Sequence, residues 1–314
     1  MADITLTAVT QTQGSTRALK DGAVRPRRYA LEFQEVPVIQ AFRKMVRSLD
    51  FDVTEMAITT YLCARSFGKP FTALPVFLVR EFHHSAIVRS ATADITVPKD
   101  LEGRRVGVNR GYTVTTGVWA RAILQDEYGV DLSRVTWVPS GDEHVAEFRP
   151  PGNVIPLTAD ASLAERVAAG DPAAAVGIRP DPPGVAPLIP DAAEAGFRAL
   201  RDRGLYPINH LLVVKDDLLD AHLDLAADLF SAYAEAKARY VSRLGDGLVK
   251  DPTLADLMYM RVLDITGADP LPYGIEPNRA MLEYLIRHAV TQRILPEPVP
   301  VEALFPPSTH ELAG

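Results

Sequence analysis

The sequence has little cysteine and no long apolar run. Cys63 is the only cysteine among 314 residues, which excludes an intrachain disulfide and a cysteine-rich zinc site. No stretch reaches the roughly 18 unbroken apolar residues that a membrane-spanning helix needs. The N-terminal residues, MADITLTAV, lack the basic region of a secretory signal. We therefore expect a cytoplasmic protein that is not inserted in a membrane.

Familiar catalytic and nucleotide-binding patterns are missing as well. The sequence contains no P-loop, no GxSxG, no HExxH and no CxxC pattern. The turn at residues 107–111, GVNRG, matches a dinucleotide-binding turn only in part. Acidic residues outnumber basic ones, 40 against 33, and the net charge of −7 argues against a nucleic-acid partner. We expect neither a cofactor nor a bound metal ion.

Strand-like runs alternate with helical runs through most of the chain, which predicts an α/β fold. Apolar residues make up 47% of the sequence, enough for a sizeable core, and the length favours two lobes over one. We predict a discontinuous first lobe of residues 1–95 and 208–314. The inserted second lobe covers residues 96–207, and a ligand cleft is expected between the lobes.

The periodicity places individual elements along the chain. Strands are predicted at residues 4–9, 29–36, 51–56, 72–79, 85–89, 104–108, 135–138, 173–178 and 206–214. Helices are predicted at residues 38–48, 58–67, 113–128, 163–169, 191–203, 218–245, 253–265 and 277–290. Residues 104–138 form a predicted βαβ unit with parallel strands, and residues 180–190 a surface loop.

The start of the helix predicted at residue 113 is a candidate anion site. Thr113, Thr115 and Thr116 follow a strand and a glycine-containing turn. Unpaired N–H groups and the helix dipole favour a carboxylate at such a position. The alternative is that Thr113 only caps the helix.

The densest cluster of polar side chains is Arg80-Glu81-Phe82-His83-His84-Ser85. On an extended backbone His83 and His84 point to opposite faces, which disfavours a shared metal ion. One of them can act as a proton donor near neutral pH, with Arg80 nearby to attract an anion. The alternative is a hydrogen-bonded structural histidine.

Two further residues lie where predicted strands end or begin. Glu55 ends an apolar strand, where it either caps the next helix or reaches into the cleft. His210 begins the strand that returns to the first lobe, a position suited to a hinge or to the cleft. Of the remaining histidines, His144, His222, His288 and His310 receive no role.

These segments resemble the 4,5-dihydroxyphthalate decarboxylase family, and the resemblance covers nearly the whole chain. Its residues are Phe51-Asp52-Val53-Thr54-Glu55-Met56, Tyr61-Leu62, Leu74-Pro75-Val76-Phe77, Arg80, Phe82, His84-Ser85, Leu101-Glu102-Gly103-Arg104-Arg105-Val106-Gly107-Val108, Trp119-Ala120-Arg121, Glu127-Tyr128-Gly129-Val130, Tyr206-Pro207-Ile208-Asn209-His210, Tyr273-Gly274 and Asn278-Arg279. The resemblance implies the fold of type 2 periplasmic solute-binding proteins. It also implies decarboxylation of a hydroxylated aromatic acid, or a similar small carboxylated metabolite, without a cofactor.

Three departures from the family pattern bear on the substrate. Gly14-Ser15-Thr16 stands where the family has an Asp-Arg-Thr segment, and His83 stands where it often has arginine. Residues 109–112, NRGY, replace a Pro-Glu-Tyr type of helix start. The loss of two cationic positions suggests a substrate other than a phthalate dianion.

The resemblance also implies roles for individual residues. His84 would protonate the ring, and Glu55 or His210 would contact the ring hydroxyl. The expected substrate contacts are Arg80, His83, Ser85, Thr113, Thr115, Thr116 and Tyr273.

Two other functions stay open. One is a solute-binding protein of an ABC-type transporter that binds a small organic anion without turnover, and the other is an intracellular ligand sensor. In each case the expected partner is a small aromatic or carboxylate molecule, and the sequence leaves a homo-oligomer open.

Overall fold

The computed structural model of the chain describes residues 4–157 and 161–314. The first three residues, part of the segment inspected for a secretory signal, lie outside these ranges. The chain divides into two compact units. The first unit contains residues up to Glu81, Ile208–Tyr284 and Pro298–Gly314, and the second contains Phe82–Pro207 and Leu285–Glu297.

Strands and helices alternate along the chain. The strands are β1 (Ile4–Val9), β2 (Tyr29–Phe33), β3 (Val53–Ala57), β4 (Phe71–Arg80), β5 (Ile87–Ser90), β6 (Arg105–Val108), β7 (Thr136–Pro139), β8 (Ala174–Val176), β9 (Val185–Pro187) and β10 (Ile208–Lys215). The helices are α1 (Gly14–Lys20), α2 (Val38–Ser48), α3 (Ile58–Ser66), α4 (Thr115–Tyr128), α5 (Leu163–Ala168), α6 (Ala192–Arg203), α7 (Asp216–Ala221), α8 (Leu225–Gly245), α9 (Leu254–Thr266) and α10 (Arg279–Thr291).

The first unit is built on a sheet with the strand order β2-β1-β3-β10-β4. β1 pairs in parallel with β2 and β3, whereas β10 is antiparallel to both β3 and β4. β4 therefore runs in the same direction as β3. Every residue of β3 is buried, as expected for a strand covered on both faces, so the polar residues on it lie inside the unit.

The second unit has a sheet with the order β7-β6-β8-β5-β9. β6 is parallel to β7 and β8, and α4 connects β6 to β7, as the predicted βαβ unit requires. α4 ends at Gly129, which has a φ of 64° and supplies the left-handed conformation that commonly ends a helix. Trp119 on α4 and Trp137 on β7 are fully buried and belong to the core of this unit.

The observed unit boundaries differ from the predicted lobes at two places. Residues 82–95 belong to the second unit because β5 pairs with β8 and β9 in its sheet. Residues 285–297 belong there too, since Gln292 accepts a hydrogen bond from Arg121, and Arg287 and His288 contact Asp126.

Some predicted elements also need correction. The helix predicted over 218–245 is split into α7 and α8, because His222 has non-helical dihedral angles (φ −134°, ψ 85°). α1 was not predicted, and the predicted loop at 180–190 contains the short strand β9. Among the residues described, none of the helices combines the length and the apolar character needed to cross a bilayer.

Candidate functional site

The carboxyl edge of the first sheet gathers several polar residues. We use this name for the ends of β1, β3 and β4 together with the start of β10. In the sheet, His210 lies opposite Ala57 at the end of β3, and Ile208 lies opposite Arg80 at the end of β4. Ligands of open α/β sheets usually bind at the carboxyl ends of the parallel strands.

Glu55 and His210 form a close pair at this edge. Glu55 Oε1 lies 2.6 Å from Nδ1 of His210, and Glu55 Oε2 accepts a 2.7 Å hydrogen bond from the backbone N–H of Gln11. Glu55 faces Leu212 across the strands, so His210 is its diagonal neighbour on the same side of the sheet. The structure thus joins two residues that the sequence analysis named separately.

The two members of the pair differ in exposure. The Glu55 side chain is 0% exposed, whereas that of His210 is 19% exposed. Phe42 on α2 packs its ring edge-on against the imidazole, with centroids 5.1 Å apart. Because the carboxylate holds Nδ1, Nε2 is the ring nitrogen that remains for proton transfer. This arrangement can hold an imidazole in a fixed orientation.

Buried hydroxyl groups lie close to the pair. Thr10, Thr54 and Tyr233 are almost completely buried, and burial together with the charge of Glu55 raises the pKa of Tyr233. The hydroxyl of Tyr233 approaches that of Thr10, but within the described residues none of the three makes a hydrogen bond of normal geometry. Tyr233 was not predicted as a polar neighbour, because its helical spacing in the sequence indicates only packing.

Arg80 and Tyr273, two predicted substrate contacts, belong to a buried network of the first unit. The Arg80 guanidinium donates to Oδ1 of Asn278, and Nδ2 of Asn278 donates to the carbonyl groups of Pro272 (2.9 Å) and Gly274 (2.7 Å). Tyr273 is fully buried, and burial raises its pKa well above the usual value. Arg80 thus stabilises the turn around Gly274 through Asn278, and contact of Arg80 or Tyr273 with a substrate stays a prediction.

His84 lies in the second unit in a charged cluster of its own. Its Nε2 atom is 3.1 Å from both carboxylate oxygens of Glu127, and Arg203 contacts the same carboxylate at 2.6 Å. Burial alone would raise the pKa of Glu127, but the hydrogen bonds and charges of His84 and Arg203 outweigh it and hold that pKa below its usual value. The His84 side chain is 0% exposed.

The backbone around His84 is helical and not extended as predicted. Residues His84–Ala86 form a short 3₁₀ helix, so the argument about opposite strand faces does not apply to His83 and His84. His83 is buried, whereas Ser85 lines a cavity of about 340 Å³ with residues of the 180–194 region. No group of three His, Cys, Asp or Glu side chains in residues 4–157 and 161–314 is arranged to hold a metal ion.

The predicted anion site at the start of α4 contains a carboxylate of the protein itself. Glu143 accepts hydrogen bonds from the backbone N–H of Tyr112 (2.5 Å) and of Thr113 (3.1 Å), and from the Thr113 hydroxyl (2.6 Å). The residue preceding α4 is Val114 rather than Thr113, so Thr113 is not the helix cap. Thr115 is buried and Thr116 is half-buried.

The chain is similar to two curated proteins with one name, which confirms the predicted resemblance. It is 27% identical over 288 residues to a 4,5-dihydroxyphthalate decarboxylase of Comamonas testosteroni, covering 87% of each chain. It is 34% identical over 110 residues to a 4,5-dihydroxyphthalate decarboxylase of Pseudomonas putida, covering 35% of this chain and 42% of that protein. No family model matches the chain.

Solved structures share the fold at low sequence identity. A Candida albicans protein with the generic periplasmic-binding-protein fold has a TM-score of 0.59 at 13% identity, over 99% of this chain and 98% of that one. The periplasmic aliphatic sulphonate binding protein of Escherichia coli has a TM-score of 0.55 at 13% identity, over 96% and 91%. A desulfurization enzyme in complex with biphenyl-2-sulfinic acid has a TM-score of 0.55 at 18% identity, over 98% and 97%. The predicted periplasmic-binding-protein-like α/β fold is therefore confirmed.

Proposed function

We propose that the chain is a carboxy-lyase that decarboxylates a hydroxylated aromatic acid without a cofactor. The observation that carries this proposal is the pair formed by the buried Glu55 carboxylate and the partly exposed imidazole of His210, 2.6 Å apart. The similarity to two 4,5-dihydroxyphthalate decarboxylases supports the same reaction type.

The pair suits a reaction in which one proton moves from oxygen to carbon. Nε2 of His210 takes the proton of a ring hydroxyl, and Glu55 stabilises the imidazolium that forms. The imidazolium then protonates the ring carbon that bears the carboxylate. The bond from this carbon to the carboxylate breaks, its electron pair restores the aromatic ring, and CO2 leaves. A proton from solvent finally neutralises the phenolate, so the reaction consumes one proton and needs no redox partner.

The proton transfer is assigned to His210 rather than to His84. The His84 ring has no exposed surface, and its Nε2 atom faces Glu127. His210 keeps part of its ring exposed while the buried carboxylate fixes the other side. We therefore give His84 a positioning role through Glu127 and Arg203.

Release of CO2 from a panel of hydroxybenzoates and hydroxyphthalates tests the proposal. Because a positioned base contributes about 10²- to 10⁴-fold, His210→Gln should lower kcat by about that factor on any substrate that the panel identifies. His222→Gln is the matched control, since His222 is a half-buried histidine of the same unit that packs against Tyr29. Full turnover by His210→Gln would overturn the assignment.

The same panel separates catalysis from simple binding. Tight binding of several aromatic acids without any release of CO2 would contradict the decarboxylase proposal. It would support the alternative of a solute-binding protein for small organic anions.

A further inference from the structure

The start of α4 combines backbone donors with a fully buried cation. The turn that binds Glu143 is closed around it, since a Cβ atom on Gly111 would lie 2.6 Å from Glu143 Oε2. Behind this turn lies Arg121, whose side chain has no exposed surface. Its guanidinium stacks on the Tyr112 ring at 3.9 Å and donates to the Tyr112 carbonyl at 2.6 Å.

Arg121 carries charge that its direct contacts do not neutralise. Its Nε donates to the neutral amide of Gln292 at 2.7 Å. Within the described part of the chain, Nη1 of Arg121 makes no hydrogen bond. This atom lies against Gly117 in the first turn of α4, since a Cβ atom added to Gly117 would be 3.3 Å from it. The negative charge of the Glu143 carboxylate favours the charged form of the Arg121 guanidinium. Since buried charges are normally paired, the turn is built to hold an anion.

Glu143 belongs to a loop and not to α4 itself. It lies after β7 on a stretch without helix or strand, at residues 140–149, and its side chain is only half-buried. The groups that bind it, in contrast, belong to Tyr112 and Thr113, which are both buried. The donors are thus fixed and the acceptor is on a loop.

We propose that the start of α4 is a binding site for one carboxylate group, which Glu143 occupies until the carboxylate of an external ligand displaces it. Two N–H groups, one hydroxyl and a cation behind them match the two oxygens of a single carboxylate. The inference rests on the proposed function only in taking an aromatic monocarboxylate as the ligand.

The internal carboxylate weakens binding of an external one by competition. The observed Kd equals the intrinsic Kd divided by the fraction of molecules in which the site is open. If Glu143 occupies the site nine-tenths of the time or more, its removal lowers the Kd by about tenfold or more.

Calorimetric titration with sodium benzoate at constant ionic strength tests the proposal. We expect Glu143→Gln and Glu143→Ala to bind benzoate about tenfold more tightly than the unchanged protein. Asp202→Asn is the matched control, because it removes one exposed negative charge from the same unit at α6. Adding Thr113→Val to Glu143→Gln should remove part of the gain, since Thr113 supplies a hydroxyl donor.

The outcomes separate this inference from the proposed reaction. An unchanged Kd in a folded Glu143→Gln variant, or an equal gain in Asp202→Asn, would show that Glu143 is only a structural partner of the turn. If Glu143→Ala does not fold, Glu143→Gln still decides, because its neutral amide can satisfy the same N–H groups but lacks the charge with which Glu143 competes against an external carboxylate. Tighter benzoate binding without CO2 release would refute the decarboxylase and leave the displaceable carboxylate intact.

Discussion

The coupling between Glu55 and His210 can be measured as a free energy. Replacing His210 with alanine leaves the buried Glu55 carboxylate with the backbone N–H of Gln11 as its remaining observed hydrogen-bond donor. Leaving a buried carboxylate without such a donor costs about 3 kcal/mol or more, because an unsatisfied neutral group already costs about 1–3 kcal/mol. Because His210 is 19% exposed, solvent offsets part of that loss. We expect His210→Ala to destabilise the first unit by about 2–3 kcal/mol.

A double-mutant cycle isolates the contact itself. Glu55→Gln keeps an oxygen for the Gln11 N–H but removes the charge, and a hydrogen bond to a charged group contributes about 1.5–3 kcal/mol. The coupling energy from Glu55→Gln, His210→Ala and the double variant should fall in that range. A value below about 0.5 kcal/mol, the usual error of additivity, would show that the pair does not hold the imidazole.

The assay must report on the first unit. Both tryptophans of the chain, Trp119 and Trp137, lie in the second unit, so tryptophan fluorescence would follow the wrong part. Hydrogen exchange of peptides that contain β3 and β10, measured by mass spectrometry across a urea series, follows the strands that carry the pair.

Three further predictions concern stability. The pKa of Glu127 is held below its usual value of 4.5. The stabilisation that this carboxylate contributes is therefore complete above pH 4.5 and is lost as the pH falls through the lower pKa of the folded state. Acid unfolding followed by circular dichroism should be shallower in Glu127→Gln, and an unchanged curve would contradict this prediction. Gly274 has a φ of 98°, and a Cβ atom added there would collide with a backbone carbonyl oxygen. Gly274→Ala should therefore destabilise the protein by more than about 1 kcal/mol in urea titrations. Gly152→Ala should be nearly neutral, because a Cβ atom there would have nothing within 4 Å; equal effects would refute the steric argument. The hydroxyl of Tyr61 donates a 2.5 Å hydrogen bond, so Tyr61→Phe should lower the free energy of unfolding by about 1 kcal/mol. Tyr233→Phe should lower it by less, because the Tyr233 hydroxyl makes no hydrogen bond of normal geometry in the described residues. The reverse order in thermal unfolding would refute this prediction.

The sequence predicts those helices and helix ends whose signals lie within a few neighbouring residues. The helix predicted over residues 38–48 agrees with α2 at both ends, because its apolar spacing is regular and is not interrupted. The stop predicted at Gly129 is also observed. α1 was missed because its sequence, GSTRALK, starts with glycine and has few apolar residues; its fit depends on the close approach of Gly14 to the Tyr240 ring, which no local signal shows.

Contacts between distant segments were beyond the sequence. Glu55 and His210 were both recognised, but their pairing depends on the register of strands 155 positions apart, and nothing in either segment encodes that register. Glu143 was not recognised at all, although the donors that it occupies were. It lies 30 positions from Thr113 on a loop, and an acidic residue on a loop has no pattern that distinguishes an internal ligand from a solvated side chain.

The place of β10 in the first sheet has a consequence for folding. β10 fills the position between β3 and β4, yet the ribosome synthesises it only after most of the second unit. Until then β3 and β4 have no strand between them, and both present unpaired backbone groups that invite association with other chains. The second unit consists mostly of the continuous segment Phe82–Pro207 and can form its sheet earlier. The contact between His210 and Glu55 therefore cannot form before β10 has been synthesised. A chain that stalls before β10 lacks this contact and leaves the facing edges of β3 and β4 open to aggregation.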